Sequence, residues 1–151
     1  MTLPALLLPP MRSKVNEIEA MMLRMPQLDM PVTHYFSLGL YARELTIPAG
    51  TLLTGKIHKY QQLNIMTQGD LSVMTEEGIK RVGAGFVIVS PPGTKRIAYA
   101  HADTKWITVH ATDKLDVAEI EQEFIAQSDA EYLEFCELAR LEGKTLMLEQ
   151  S

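Results

Sequence analysis

The chain has 151 residues, 46% of them hydrophobic, a single cysteine and a formal net charge of −5. That length makes one domain with a buried core, and the lone Cys136 excludes an internal disulfide, in keeping with a reducing compartment. The acidic balance argues against a dedicated nucleic-acid binder, whose footprint would be basic.

In chain order, the first feature is the apolar run "LPALLLPP", broken by prolines and preceded by no basic residue. It fits neither a secretory signal nor a membrane span, so a soluble, cytoplasmic chain with no membrane partner is expected. From Met11 to Met25 the apolar residues Val15, Ile18, Met22 and Met25 share one helical face with Met21 beside them. This predicts a helix with Ser13 as N-cap, ended by Pro26. Its methionine-rich face offers an adaptable packing surface for the rest of the domain or a second subunit.

From about Pro31 to Thr112 the hydrophobic period becomes two. "YARELTI" alternates Tyr41, Arg43, Leu45 and Ile47 with Ala42, Glu44 and Thr46. "LSVMT" and "IKRV" are joined by Glu76-Glu77-Gly78 as a hairpin; "FVIVS" stops at Pro91-Pro92-Gly93; "KRIAYA" and "WITVHAT" complete the set. Short strands punctuated by Gly and Pro predict an antiparallel sandwich or barrel. After Thr112 the helical period returns: Val117, Ile120 and Phe124 form a stripe behind a cap at Asp113. A second helix follows, capped by Ser128 or Asp129 and ended by Gly143. Cys136 on its stripe reads as a small buried hydrophobe. "KTLMLEQ" is either a loose tail or a closing strand. The predicted organisation is an N-terminal arm and helix over 1–30, a β-barrel over 31–113 and a helical segment over 114–151, forming one structural domain.

The stretch from Gly50 to Gly69 carries the strongest motif. Gly50 is followed after five residues by Lys56-Ile57-His58, after three more by Gln62, and after six more by Gly69. Farther on, Gly85 is followed after five residues by Pro91-Pro92-Gly93 and after two more by Arg96. These spacings resemble the two motifs of the cupin superfamily, over roughly Tyr41 to Thr112. The chain looks most like the small single-domain cupin-like proteins of phages and prophages. The resemblance implies a cupin-like (double-stranded β-helix or jelly-roll) barrel, mainly β, flanked by an N-terminal helix and two C-terminal helices. In metal-binding cupins three histidines and one glutamate hold a divalent ion. The matching positions here are Lys56, His58, Gln62 and Arg96, of which only His58 is a good ligand. At about 5 Å and an effective dielectric near 20, each cation would repel a dication by roughly 6 kcal/mol. No cofactor is therefore expected.

Period two places Lys56, His58, Tyr60, Gln62 and Asn64 on one strand face, and Trp106, Thr108 and His110 on another. If both faces point inward, His58, Gln62 and His110 form a fallback metal set, with His101 as a further neighbour; a hydrogen-bonded core histidine is the plainer reading of His110. The same substitutions describe a metal-poor cationic pocket. Lys56, Arg96 and His58, with donors from Tyr60, Gln62, Asn64 and Tyr99, have the chemistry to hold a carboxylate or phosphate. The competing reading has Lys56 and Arg96 reach the barrel mouth and pair with Glu44 or the acidic helices. Charge is distributed to match: residues 54–105 carry seven Lys/Arg against four acids, and residues 116–142 carry nine acids against Arg140 alone.

Three functions follow from these readings. The first is a non-catalytic barrel that binds a small anionic ligand. The second is a structural or assembly component of a virus particle, with other virion proteins as partners and a vestigial pocket. The third is a metal-dependent dioxygenase or isomerase, since this fold hosts enzymes and binders alike. A homodimer or higher homo-oligomer is expected in each case, in the cytoplasm of the host cell or in the virion if the protein is viral.

Overall fold

The computed structural model describes residues 8, 9 and 11–148, so most of the "LPALLLPP" run lies outside the described residues. Its elements are α1 (Arg12–Met22), β1 (Val32–Ser37), β2 (Leu40–Ile47), β3 (Leu52–Thr54), β4 (Ile57–His58), β5 (Gln62–Gln68), β6 (Asp70–Thr75) and β7 (Gly78–Gly83). There follow β8 (Val87–Ser90), β9 (Ile97–Ala100), β10 (Thr104–Ala111), α2 (Val117–Phe124), β11 (Ile125–Ala126) and α3 (Asp129–Glu142). One sheet runs β1-β2-β10-β5-β8, the facing sheet β3-β9-β6-β7, and β11 pairs with β4. Each paired strand is antiparallel to its neighbour. Two antiparallel sheets with this crossing order make a jelly-roll barrel.

The alternation read in the sequence supplies the barrel's filling. Ile47, Met66, Leu71, Val73, Ala98 and Ala100 come from both sheets and form one buried cluster, with Leu45, Leu53 and Trp106 packed on it. Two motif glycines fix the turns. Gly69 has φ +110°, and a Cβ there would sit 2.6 Å from the Thr104 Cα and 2.7 Å from the Asp103 carbonyl oxygen. Only a residue without a side chain lets β5 run into β6 that close to the start of β10. At Gly93, φ +81°, a Cβ would meet the Tyr132 ring at 2.7 Å. The Pro91-Pro92-Gly93 loop is thus the seat on which α3 packs.

Helix α1 departs from its sequence reading. It starts at Arg12 after Met11, which has φ 69° and no side-chain cap, so Ser13 is not the N-cap. The cause is Arg12, which is 4% exposed. Its guanidinium reaches the Asp129 carboxylate at 2.5 Å and the Gly93 carbonyl, while Asn16 donates to the same carboxylate at 2.8 Å. This pairing sets the helix rotation. Val15 goes into the core, and Met21 and Met25 stay more than 60% exposed. Of the predicted stripe, Val15 is buried and Ile18 and Met22 are half-buried, while Met21 and Met25 face outward. Asp129→Asn, which keeps the shape and removes the charge facing a buried guanidinium, is expected to lower stability by about 2 kcal/mol in urea unfolding.

At the other end, Asp116 rather than Asp113 caps α2, its carboxylate accepting from the backbone N–H groups of Ala118 and Glu119. The helix stops at Phe124 because Ile125 turns extended and, with Ala126, pairs with β4. Ser128 caps α3 and Gly143 ends it with φ 66°, both as the sequence predicts. Ile57, Ala126, Tyr132 and Cys136 form a second buried cluster that ties α3 to the barrel. Cys136 is fully buried, and burial pushes its thiol pKa up, which makes it an inert hydrophobe. "KTLMLEQ" forms neither a strand nor a free tail over its described residues. The Leu146 carbonyl accepts from the Gln61 N–H at 3.0 Å, and the Leu148 N–H donates to the Gln61 side chain at 3.1 Å.

Candidate functional site

The barrel encloses a cavity of about 120 Å³. Its lower wall is apolar, formed by Leu45, Ile47, Leu53, Leu71, Val73, Ala98 and Trp106. Helix α2 lies across the other end, contributing Ile120, Glu121 and Phe124. Between the two lies a polar belt made of Tyr41, Arg43, Lys56, His58, Gln62, Asn64, Arg96, Thr108 and His110.

Strand register builds that belt. Thr108 of β10 stands opposite Arg43 of β2 on one side and Asn64 of β5 on the other, and His110 stands opposite Tyr41. A hydrogen-bond chain crosses the wall. Arg96 Nη2 donates to Ser90 Oγ at 2.8 Å, Ser90 Oγ to Asn64 Oδ1 at 2.7 Å, and Asn64 Nδ2 to Thr108 Oγ1 at 3.0 Å. Ser90, Asn64 and Thr108 are all buried, so the chain is rigid. Because Thr108 accepts from Asn64, its own hydroxyl proton is left to donate elsewhere.

The cations predicted for the pocket are present but not free. Lys56 is exposed at the rim and pairs with Glu121 of α2 at 3.0 Å. Arg96 is mostly covered and forks onto the Glu76 carboxylate at 2.7 and 3.2 Å, with a further bond to the Met74 carbonyl. The pairing alternative thus holds for Lys56 with an acidic helix. For Arg96 the partner is Glu76 of the β6–β7 turn, and Glu44 pairs with neither cation. Among the described residues, the cavity cation that lacks a partner is Arg43. It lines the cavity and has no ion pair or hydrogen bond among the described residues. Sequence reading placed Arg43 in the same alternating set as Tyr41, Leu45 and Ile47 but did not count it as a site residue.

His58 and His110 do approach each other, with ring centroids 6.0 Å apart and nearly parallel planes. His110 continues the stack to Tyr41 at 5.9 Å, whose hydroxyl meets His34 Nδ1 at 2.7 Å. Burial, followed by the neighbouring His110 and the cations Arg43, Lys56 and Arg96, pushes the His58 pKa down to about 3. Burial, then Arg43, pushes that of His110 down to about 4, with Glu123 opposing. Both rings are neutral near neutral pH. Three buried polar atoms of belt residues have no partner among the described residues: His58 Nδ1, Gln62 Oε1 and Arg96 Nε. Unpaired buried groups are costly, and native proteins keep few of them.

Two other expectations fail on geometry. Tyr60 leaves the inward face because residues 59–61 break the strand between β4 and β5. Its ring packs edge-on against Phe124 and Phe135, under the Lys144 ammonium. Tyr99 is 40% exposed on β9 and meets His101 outside the cavity, where His101 bonds Ser72 at 2.7 Å. The donor set does not fit a divalent ion at the cupin position. Lys56 and Arg96 bring positive charge, Gln62 offers a neutral oxygen, and Arg43 adds a third cation. Among the described residues no group of three His, Cys, Asp or Glu side chains is placed to hold a metal. No described helix is long and apolar enough to cross a membrane.

No family model matches the chain, and no curated protein matches it. Solved structures do. Ectoine synthase from P. lautus is 15% identical over 66% of this chain and 75% of that one, with a TM-score of 0.51. KdgF from Halomonas sp. is 19% identical over 62% and 90%, with a TM-score of 0.48. A cupin superfamily protein from Desulfitobacterium hafniense is 10% identical over 59% and 83%, with a TM-score of 0.47. At such identities the likeness is one of fold. With its jelly-roll sheet order and its motif glycines at the barrel turns, the chain has a cupin-like barrel.

Proposed function

We propose that this cupin-like barrel is a non-catalytic, metal-free binder of a small anionic ligand. The observation that carries the reading is Arg43: a cation on the wall of an otherwise largely apolar cavity, with no ion pair or hydrogen bond among the described residues. A guanidinium held there recognises a carboxylate or phosphate through its planar fork of donors. His58 Nδ1, Gln62 Oε1 and Arg96 Nε, unpartnered in the same belt, add the hydrogen-bonding capacity that a polar ligand or its bridging waters would use. Support for a non-catalytic role comes from the acid–base inventory. Glu121, the acid lining the cavity, is tied to Lys56. Both histidines are too weakly basic to take up a proton near neutrality.

The motif resemblance to phage and prophage proteins supports a viral or prophage origin, with the host cytoplasm as the place of action. Homo-oligomerisation belongs to the same proposal. Leu63, Val87 and Val89 are exposed on the outer face of β5 and β8, and Tyr35, Phe36, Leu38 and Leu40 along the β1–β2 hairpin. Such a surface suits a second copy of the chain, and light scattering of the purified protein reads the copy number. These surfaces would equally serve a virion assembly component, a reading that does not account for the polar belt.

The binding reading is tested by thermal unfolding in chelated buffer near neutral pH, with small carboxylates, inorganic phosphate and phosphate monoesters at millimolar concentration. At least one class is expected to raise the midpoint by several degrees, as mass action requires of a ligand that binds only the folded state. No shift with any of them would overturn the proposal.

A further inference from the structure

We infer that the ligand is an amphipathic monoanion: one carboxylate held by Arg43 and Thr108, with a short apolar body lying against Leu71, Val73 and Trp106. The inference rests on the reading of the cavity as an anion site and specifies the class of anion.

Charge selects the valence. Of the three permanent cations on the wall, Lys56 is neutralised by Glu121 at 3.0 Å and Arg96 by Glu76 at 2.7 Å. Arg43 remains, and the two histidines contribute no charge because burial keeps them neutral. The belt therefore carries a single uncompensated positive charge. One carboxylate brings it to neutrality. A dianion would leave an excess negative charge in a confined, mostly apolar space, and the penalty for an uncompensated buried charge is several kcal/mol.

Volume sets the size. A cavity of about 120 Å³ is of the order of one that admits a benzene ring, roughly 150 Å³, which suits a small ligand better than a nucleotide or a phosphosugar. The wall sets the shape. Thr108 and Trp106 are successive inward positions of β10, and Arg43 stands opposite Thr108. Arg43, Thr108 and Trp106 thus line one wall of the cavity, and Leu71 and Val73 line it from the opposite sheet. A carboxylate on a chain of a few carbons, or on one ring, matches donors at one end and hydrocarbon at the other. Lys56 and Glu121, 52% and 40% exposed, mark the rim at which it enters.

Calorimetric titration of the full chain near neutral pH, in the presence of chelator, tests this with hexanoate and benzoate against succinate and sulfate. The monocarboxylates are expected to bind at least about tenfold more tightly than either dianion. Glu121→Gln, at an exposed position that does not threaten folding, frees Lys56 and is expected to raise succinate affinity about tenfold relative to that of hexanoate. Tighter binding of succinate or sulfate to the unaltered protein would overturn the monoanion assignment and leave the anion site standing. So would a Glu121→Gln variant with unchanged succinate affinity relative to that of hexanoate. Binding of none of the four probes would overturn both readings.

Discussion

Arg43→Met is expected to have two effects of opposite sign. Binding of a small carboxylate falls about 100-fold, because truncating one partner of a charge-assisted contact in a water-poor site costs roughly 3 kcal/mol. The ligand-free protein, by contrast, gains about 1 kcal/mol. Arg43 is half-buried without a partner among the described residues, and replacing an uncompensated cation by an apolar side chain of similar length removes its desolvation cost. Stability and binding thus move apart in one variant, as expected where a group is kept for function at the expense of the fold. Chemical unfolding and calorimetry on the same preparation read both. A variant that loses stability and keeps binding would show that Arg43 is a structural residue.

Acid sensitivity is the second large effect. The pKa values of His58 and His110 are depressed in the folded state to about 3 and about 4, while in the unfolded chain both lie near 6.5. Below that value the unfolded state takes up protons that the folded state refuses. Stability is therefore complete above about pH 6.5 and declines as the pH falls toward the folded values. The groups that disfavour protonation of His58 are Arg43, Lys56, Arg96 and its neighbour His110; Glu123 acts the other way on His110. Between about pH 6.5 and 5, before most carboxylates titrate, the loss is expected to be on the order of 3 kcal/mol. The double variant His58→Gln, His110→Asn should flatten that slope in urea unfolding across the same range. An unchanged slope in the double variant would mean that the two rings are solvated in the folded protein.

The barrel was legible because its determinants are local. Gly69 and Gly93 stand at positive φ where a Cβ would strike Thr104 or Tyr132, and their spacing in the chain records those turns directly. Ser128 and Gly143 act through their own helix ends, and their readings hold for the same reason. The site was less legible, because its charge state is decided by partners distant in sequence. Lys56 meets Glu121 and Arg96 meets Glu76, and nothing in the motif spacing records either meeting. Arg43 was visible in the alternation of "YARELTI", but alternation alone does not tell which face is inward. Tyr60 was assigned inward by carrying period two through residues 59–61, where β4 ends after two residues and takes β11 as its partner. Arg12 shows the same limit at the N-terminus. The apolar stripe shows Val15, Ile18 and Met22 on the packed side of α1, but the guanidinium that joins them there is anchored on Asp129, far off in the chain.

The central claim is that a cation on the barrel wall, without a metal, holds an anion in the cavity. Calorimetric titration of hexanoate into metal-free protein and into Arg43→Met, with and without added divalent ions, tests it most directly. The account predicts binding of one hexanoate per chain that is indifferent to the added ions and is lost in the variant. Binding that requires a divalent ion, or that survives in Arg43→Met, would contradict it.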